Sequence, residues 1–318
     1  MSLIFPIVLL LIGLAILIYG ADLMVRGAAS MASKWGLSSI VIGLTVVAFG
    51  TSAPELIVSV LSAVKGTTDL AIANVTGSNM ANILLILGVA ATIKPLKVKE
   101  GTTYKEIPFA LLGIALVAIM GNDFFIDGST QNALTRSDGI AFLAFFVIFI
   151  YYTYGLSKVK VEREKIPTFG WGKSILFFVL GIVGLVVGGQ LIVNNAITLA
   201  TLAGLSEALI GLTIVAIGTS LPELATTLVA LKKGHTDLAI GNAIGSNIFN
   251  VFWILGLTAT ITPLPFNTAG NVDVLFTTFI TLMLFIAMFI GTKHRLTRRE
   301  GLIFLHLYFG YIIYAIIR

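Results

Sequence analysis

Apolar runs of about twenty residues recur along the whole chain, separated by short polar segments. About twenty apolar residues are what an α-helix needs to cross the hydrocarbon core of a bilayer. Ten such spans are predicted, at about 3–33, 39–64, 69–93, 106–121, 138–155, 173–202, 208–231, 237–261, 272–291 and 301–317. The first and sixth are long enough to tilt or to protrude. A membrane β-barrel would instead show segments of about ten residues with alternating polarity, and the sequence lacks them. The expected fold is an all-α polytopic membrane protein with ten transmembrane helices.

Composition agrees with this reading. Of 318 residues, 57% are hydrophobic and 11% charged, against about 25% charged in a soluble domain. The N-terminus has no basic region and no small-residue cleavage site, so it reads as the first span and not as a removed signal peptide. With no cysteine, disulfides and thiolate metal sites are excluded. The net charge of +5 reflects topology and not nucleic-acid binding. Arg26 falls inside the first span. Of the other basic residues, one set of alternate loops holds 16 and the opposite set, with Lys65, Arg136 and Arg318, holds 3. The positive-inside rule then puts both termini outside and the 156–172 linker in the cytoplasm.

The chain also repeats itself. "VIGLTVVAFGTSAPEL" (41–56) and "LIGLTIVAIGTSLPEL" (209–224) are identical at twelve of sixteen positions, at an offset of 168. The same offset aligns "TDLAIANVTGSN" (68–79) with "TDLAIGNAIGSN" (236–247), identical at nine of twelve. Residues 1–155 and 173–318 are therefore expected to be two five-helix repeats joined by the linker. Five is odd, so the second repeat enters the membrane from the opposite side, the inverted arrangement of many secondary transporters. A duplication kept only for packing would tolerate exchange among Leu, Ile and Val. Here identity is highest in polar, helix-disturbing residues.

Of the 15 acids, Glu55 and Glu223 are the two expected well inside the membrane, one in each half. A carboxylate at that depth costs at least about 2.5–3.5 kcal/mol unless it is paired or faces water. No basic residue lies nearby in its span, so a proton or a bound cation must meet the charge. Ser52 and Ser220 are positioned as N-caps, with Glu55 and Glu223 completing capping boxes and Pro54 and Pro222 in the first turn. A cap in mid-membrane means that helices 2 and 7 break at the bilayer midplane. Each proline lacks an N–H, so the carbonyl of Gly50 or Gly218 loses its helical partner. Carbonyls near Ala48–Thr51 and Ala216–Thr219 are freed to face a cavity, beside the hydroxyls of Thr51, Ser52, Thr219 and Ser220. Carboxylate, carbonyl and hydroxyl oxygens without sulfur or histidine suit Ca2+ or Na+.

The following helix of each half carries a polar stripe at four-residue spacing, Asn74, Ser78 and Asn82, repeated as Asn242, Ser246 and Asn250. Ser78, Asn82, Ser246 and Asn250 are expected to line the site; Asn74 and Asn242 can line it or pack. Asn79 and Asn247 fall off the stripe and read as packing residues. Gly77 and Gly245 are expected to let a neighbouring helix approach closely. Asp22 and Arg26, one turn apart, read as a structural ion pair. His235, His294 and His306 are scattered without metal-ligand spacing.

"GTSAPE" and "GTSLPE", each followed by a "GSN" segment in an inverted repeat, resemble the paired repeats of the cation/calcium exchanger superfamily, and most of all prokaryotic sodium/calcium exchangers. The resemblance covers nearly the whole chain. It implies an antiporter of the plasma membrane that exchanges Ca2+ for Na+ by alternating access, with the first and sixth spans sliding across the rest. It implies that Glu55 and Glu223 bind Ca2+ with the Thr51 and Thr219 carbonyls. The implied Na+ sites use Ala48, Thr51, Ser52, Glu55 and Ser78, and Ala216, Thr219, Ser220, Glu223 and Ser246. No cofactor is expected, since both ions are cargo, and a monomer suffices. The chain departs from the family at one place: where the family has Asn in one half and Asp in the other, Asn82 and Asn250 are both asparagine. H+ or K+ therefore stays open as the coupling ion. A passive channel fits less well, because a carboxylate at each helix break suits occluded binding better than conduction. An intramembrane aspartyl protease would use Asp and a GxGD motif, which is absent, so no enzyme is expected.

Overall fold

The structure is a computed structural model and describes residues 4–126, 128, 132–158, 168–203 and 216–317. Its helices follow the apolar runs. In chain order they are α1 (Ile4–Trp35), α2 (Ser39–Thr51), α3 (Ala53–Val64), α4 (Thr68–Ile93), α5 (Thr102–Met120), α6 (Arg136–Ser157), α7 (Trp171–Leu202), α8 (Ala216–Thr219), α9 (Leu221–Lys232), α10 (Thr236–Ile261), α11 (Thr268–Ala287) and α12 (Arg298–Ile317). Among the described residues eight helices are long and apolar enough to cross a bilayer, and the pair α2–α3, bent by 47°, makes a ninth. The predicted span 208–231 enters the described residues only at Ala216, where α8 and α9 repeat the break. Its first part, and residues 159–167 of the predicted linker, lie outside the described residues.

Burial sorts the helices. In α4 and α10, 72% and 78% of the most apolar window is buried, against 39% or less in the other unbroken spans. These two helices form the centre, and the outer ones turn apolar side chains such as Ile148, Tyr151 and Ile313 outward, as lipid-facing helices do. Each central helix contains a π-helical turn, Ala81–Ile86 in α4 and Phe249–Leu255 in α10, at the 168-residue offset of the sequence repeat. Such wide turns inside α-helices frequently mark functional sites.

The long helices α1 and α7 pack against each other along their length. Glycines make this possible. A Cβ added at Gly20 would lie 2.8 Å from the Gly184 backbone, at Gly181 2.5 Å from Met24 N, and at Gly188 2.6 Å from Leu17 N. Without a hydrophobic drive between helices in lipid, close backbone contact supplies the van der Waals attraction that holds them. The seam is reinforced where Ser30 and Ser174 share a hydrogen bond of 2.8 Å. On the other side of α1, Asp22 pairs with Arg26 at 2.7 Å, as its spacing suggests, and also with Lys233 of the turn after α9 at 2.6 Å.

Two short antiparallel ribbons clip the helix ends together. β1 (Leu96–Lys97) pairs with β4 (Arg295–Leu296) in the register Leu96 opposite Leu296 and Lys97 opposite Arg295. β2 (Ala133–Leu134) pairs with β3 (Leu264–Pro265), Leu134 opposite Leu264 and Ala133 opposite Pro265. α5 runs from β1 to β2, so the two ribbons lie at opposite ends of the bundle.

The α1–α7 seam gives a direct test. Gly181→Ala forces a methyl group into the Met24 backbone and is expected to cost about 1–3 kcal/mol, whereas Gly310→Ala meets nothing within 4 Å and leaves stability unchanged or slightly raised. Thermal unfolding of the two variants in detergent makes the comparison.

Candidate functional site

The site is built around two helix breaks. At Ser52 the backbone leaves the helical region, with φ −83° and ψ 8°, and Ser220 does the same with φ −85° and ψ 2°. Both α3 and α9 then start with proline in the first turn. The expected capping boxes do not form, since neither serine side chain caps the following helix. Ser52 Oγ instead donates to Glu223 Oε1 of the other half, 3.0 Å away. Ser220 Oγ, its counterpart, neither caps α9 nor has a hydrogen-bond partner among the described residues. Gly50 and Gly218 also do more than precede the break. A Cβ at Gly50 would meet Met24 and Ile182 at 2.9 and 3.0 Å, and one at Gly218 would meet Val193 at 2.2 Å. They let the α1–α7 pair pass close over the broken helices.

Glu55 and Glu223 are both fully buried, at 0% and 1% exposure. Each is held from below by the helix that follows it. Ser78 Oγ donates to Glu55 Oε1 at 3.3 Å, and Ser246 Oγ to Glu223 Oε1 at 3.5 Å. Asn74 Nδ2 donates to the Glu55 carbonyl at 3.1 Å and to Ser59 Oγ at 2.9 Å. Asn242 Nδ2 does the same to the Glu223 carbonyl at 3.4 Å and to Thr227 Oγ1 at 3.2 Å. These two asparagines, left open by sequence, anchor the backbone that carries the carboxylates. Their Oδ1 atoms accept from across the site: Thr51 Oγ1 reaches Asn242 at 3.1 Å and Thr219 Oγ1 reaches Asn74 at 3.5 Å. Ala48 is buried, and its carbonyl accepts from Thr51 Oγ1 at 3.4 Å. Ala216 opens α8; its side chain lies outside the described residues.

Asn79 and Asn247, expected as packing residues, join the two central helices by hydrogen bonds. Asn82 Nδ2 donates to Asn247 Oδ1 at 2.9 Å, and Asn250 Nδ2 donates to Asn79 Oδ1 at 3.0 Å. With both amide N–H groups turned onto these partners, the Asn82 and Asn250 carbonyls face elsewhere. A usable signal existed, because Asn74, Asn79, Asn242 and Asn247 are all identical across the repeat. Gly245 behaves as expected, since a Cβ there would lie 2.7 Å from Leu44 O. At Gly77, by contrast, nothing among the described residues lies within 4 Å, so the expected close approach is not seen there. The residue 168 positions beyond Leu44 lies outside the described residues.

Seven buried side-chain oxygens have no hydrogen-bond partner among the described residues. Five of them, Glu55 Oε2, Glu223 Oε2, Asn82 Oδ1, Asn250 Oδ1 and Ser220 Oγ, belong to the two breaks and the two π-turns; the others are Glu106 Oε2 and Thr226 Oγ1. A buried acceptor without a partner is costly, and a group of them that includes two carboxylates favours an occupant that brings positive charge. Two carboxylates, two amide carbonyls and a hydroxyl form an oxygen-only set of the type that hard cations prefer. Among the described residues no three His, Cys, Asp or Glu side chains cluster as metal ligands. Removing one amide partner tests the lattice: Asn79→Ala or Asn247→Ala is expected to cost about 1 kcal/mol in thermal unfolding and to free the facing Asn250 or Asn82 amide to rotate.

The comparisons with known proteins agree with the geometry. Residues 5–155 and 173–317 match the sodium/calcium exchanger protein family. The chain is 40% identical over 268 residues to the inner membrane protein YrbG of Escherichia coli (strain K12), covering 80% of this chain and 79% of that one. It is 32% identical over 342 residues to the sodium/calcium exchanger MaX1 of Methanosarcina acetivorans, covering 96% and 97%. Its fold matches the solved structure of the sodium-calcium exchanger NCX_Mj with a TM-score of 0.84 at 31% identity, over 98% of this chain and 99% of that one. By sequence over most of its length and by fold, the chain belongs to the sodium/calcium exchanger protein family.

Proposed function

We propose that this protein is a secondary antiporter that exchanges Ca2+ for Na+ across the plasma membrane of a prokaryote, both ions competing for the site between Glu55 and Glu223. The convergence of five unpartnered buried oxygens on that site carries the reading. Ca2+ is bound by the two carboxylates with the Thr51 and Thr219 carbonyls, and the two negative charges balance it. Na+ occupies positions formed by Ala48, Thr51, Ser52 and Ser78 with Glu55, and by Ala216, Thr219, Ser220 and Ser246 with Glu223. Asn82 and Asn250 present their free carbonyls to the same space. Because both ions need the same carboxylates, occupancy is mutually exclusive, and exchange follows when the empty site cannot cross. Residues 1–155 and 173–318 act as the two inverted repeats, with both termini outside and the 156–172 linker in the cytoplasm. The names of MaX1 and NCX_Mj as sodium/calcium exchangers support Na+ as the coupling ion.

The neutral pair Asn82 and Asn250 motivates a second reading, in which H+ or K+ drives the exchange. With only two carboxylates in the site, at most two monovalent charges are balanced locally. Vesicle uptake of 45Ca2+ under separate Na+, K+ and H+ gradients decides between them. A Na+ gradient alone is expected to drive uptake against the Ca2+ gradient. Uptake only down the Ca2+ gradient would identify a channel. Glu55→Gln and Glu223→Gln are each expected to abolish Na+-driven uptake, and normal uptake in both variants would sink the proposed site.

A further inference from the structure

The two ribbons are alike in construction and differ in charge. Lys97 and Pro265 stand 168 residues apart, so β1 and β3 are counterparts. In each ribbon a leucine pair turns inward: Leu96 and Leu296 are 1% exposed, and Leu134 and Leu264 are 0% exposed. The outward pair is Ala133 opposite Pro265 in one ribbon and Lys97 opposite Arg295 in the other. The first shows that this clip needs no charge to form. In the second, two exposed cations stand directly opposite each other, an arrangement that destabilises a strand pair. Neither makes an ion pair among the described residues. Of the neighbouring acids, Asp237 pairs with Lys99 at 2.6 Å, the Glu300 carboxylate is taken up by the backbone and hydroxyl of Thr297, and exposed Glu100 makes no ion pair with either cation among the described residues. Exposed Lys293 and Arg298 add to the same surface.

Position says what anion this surface meets. β1 lies in the short connection between α4 and α5, and β4 in that between α11 and α12. Connections of roughly ten residues between spanning helices hold both strands at the level of lipid headgroups. Basic residues at that depth attract anionic lipid, each contributing about fivefold to binding. We propose that the β1–β4 ribbon is a binding site for an anionic phospholipid, whose phosphodiester sits between Lys97 and Arg295 and offsets their repulsion. The lipid thereby clamps a connection of the first half of the chain to one of the second half.

The full-length protein, reconstituted in phosphatidylcholine bilayers containing a graded fraction of phosphatidylglycerol, tests this. Phosphatidylglycerol carried with the protein is counted by mass spectrometry, and the melting temperature is read in the same bilayers. Wild type is expected to retain phosphatidylglycerol above its bulk fraction and to melt higher as that fraction rises. Lys97→Gln and Arg295→Gln should each weaken retention about fivefold, while Lys65→Gln, at the opposite end of the bundle, should not. Lys97→Glu places an acid opposite Arg295 and is expected to remove the lipid dependence while keeping the melting temperature in pure phosphatidylcholine at or above that of wild type. That variant also guards against simple misfolding in the glutamine series. Equal retention in wild type and both glutamine variants would overturn the proposal. So would the absence of any preference for phosphatidylglycerol, or full replacement of the lipid effect by inorganic phosphate.

Discussion

Two carboxylates buried in an apolar bundle, with no lysine or arginine paired to them among the described residues, set the terms for the rest of this structure. An ionised carboxylate in such surroundings is tolerated only with compensation. The chain provides part of it locally, by serine hydroxyls and by asparagines that fix the backbone beneath each glutamate. One oxygen of each carboxylate, like the amide carbonyls of Asn82 and Asn250, has no hydrogen-bond partner among the described residues. The broken helices, the wide turns in the central pair and the close glycine contacts all serve to bring those oxygens together from both halves of the chain.

The fold class, most span boundaries, both glutamates and both breaks were legible in the sequence, because each rests on a local pattern. A run of apolar residues must span, a lone acid in it must be compensated, and a proline must disturb the helix that precedes it. What stayed hidden depends on distant partners. Ser52 reads as a cap until Glu223 of the other half is placed within reach. Asn79 and Asn247 lie off the polar stripe in regular helix just before the π-turns at Ala81–Ile86 and Phe249–Leu255, and their hydrogen bonds run to the other half of the chain, which no spacing along one helix reveals. The two-residue strands left no trace, being too short for an alternating pattern.

The outer part of the molecule follows a different rule from its centre. α4 and α10 are fixed by polar contacts that specify partner and distance. α1 and α7 meet through glycines and apolar side chains, a contact that is close yet makes few directional demands. Against the remaining helices the pair is held by a different kind of link, the Asp22–Lys233 ion pair, exposed at about a quarter of each side chain. Such a link is weak in water and easily exchanged. Apolar packing completes the contact, with Leu17, Ala21, Met24 and Val25 of α1 in one buried cluster with Ile42 and Val47 of α2 and Leu238 and Ala239 of α10.

The two halves are also not in the same condition. Most site contacts come in matched pairs, but Ser52 is bonded to Glu223 while Ser220 has no partner. Thr51 and Asn242 are buried, whereas their counterparts Thr219 and Asn74 are only half-buried. Duplication has therefore doubled the residues of the site without doubling their surroundings. The same side chain changed at a position and at its counterpart 168 residues on removes two different interactions, so the halves are alike as sequence and unlike as chemistry.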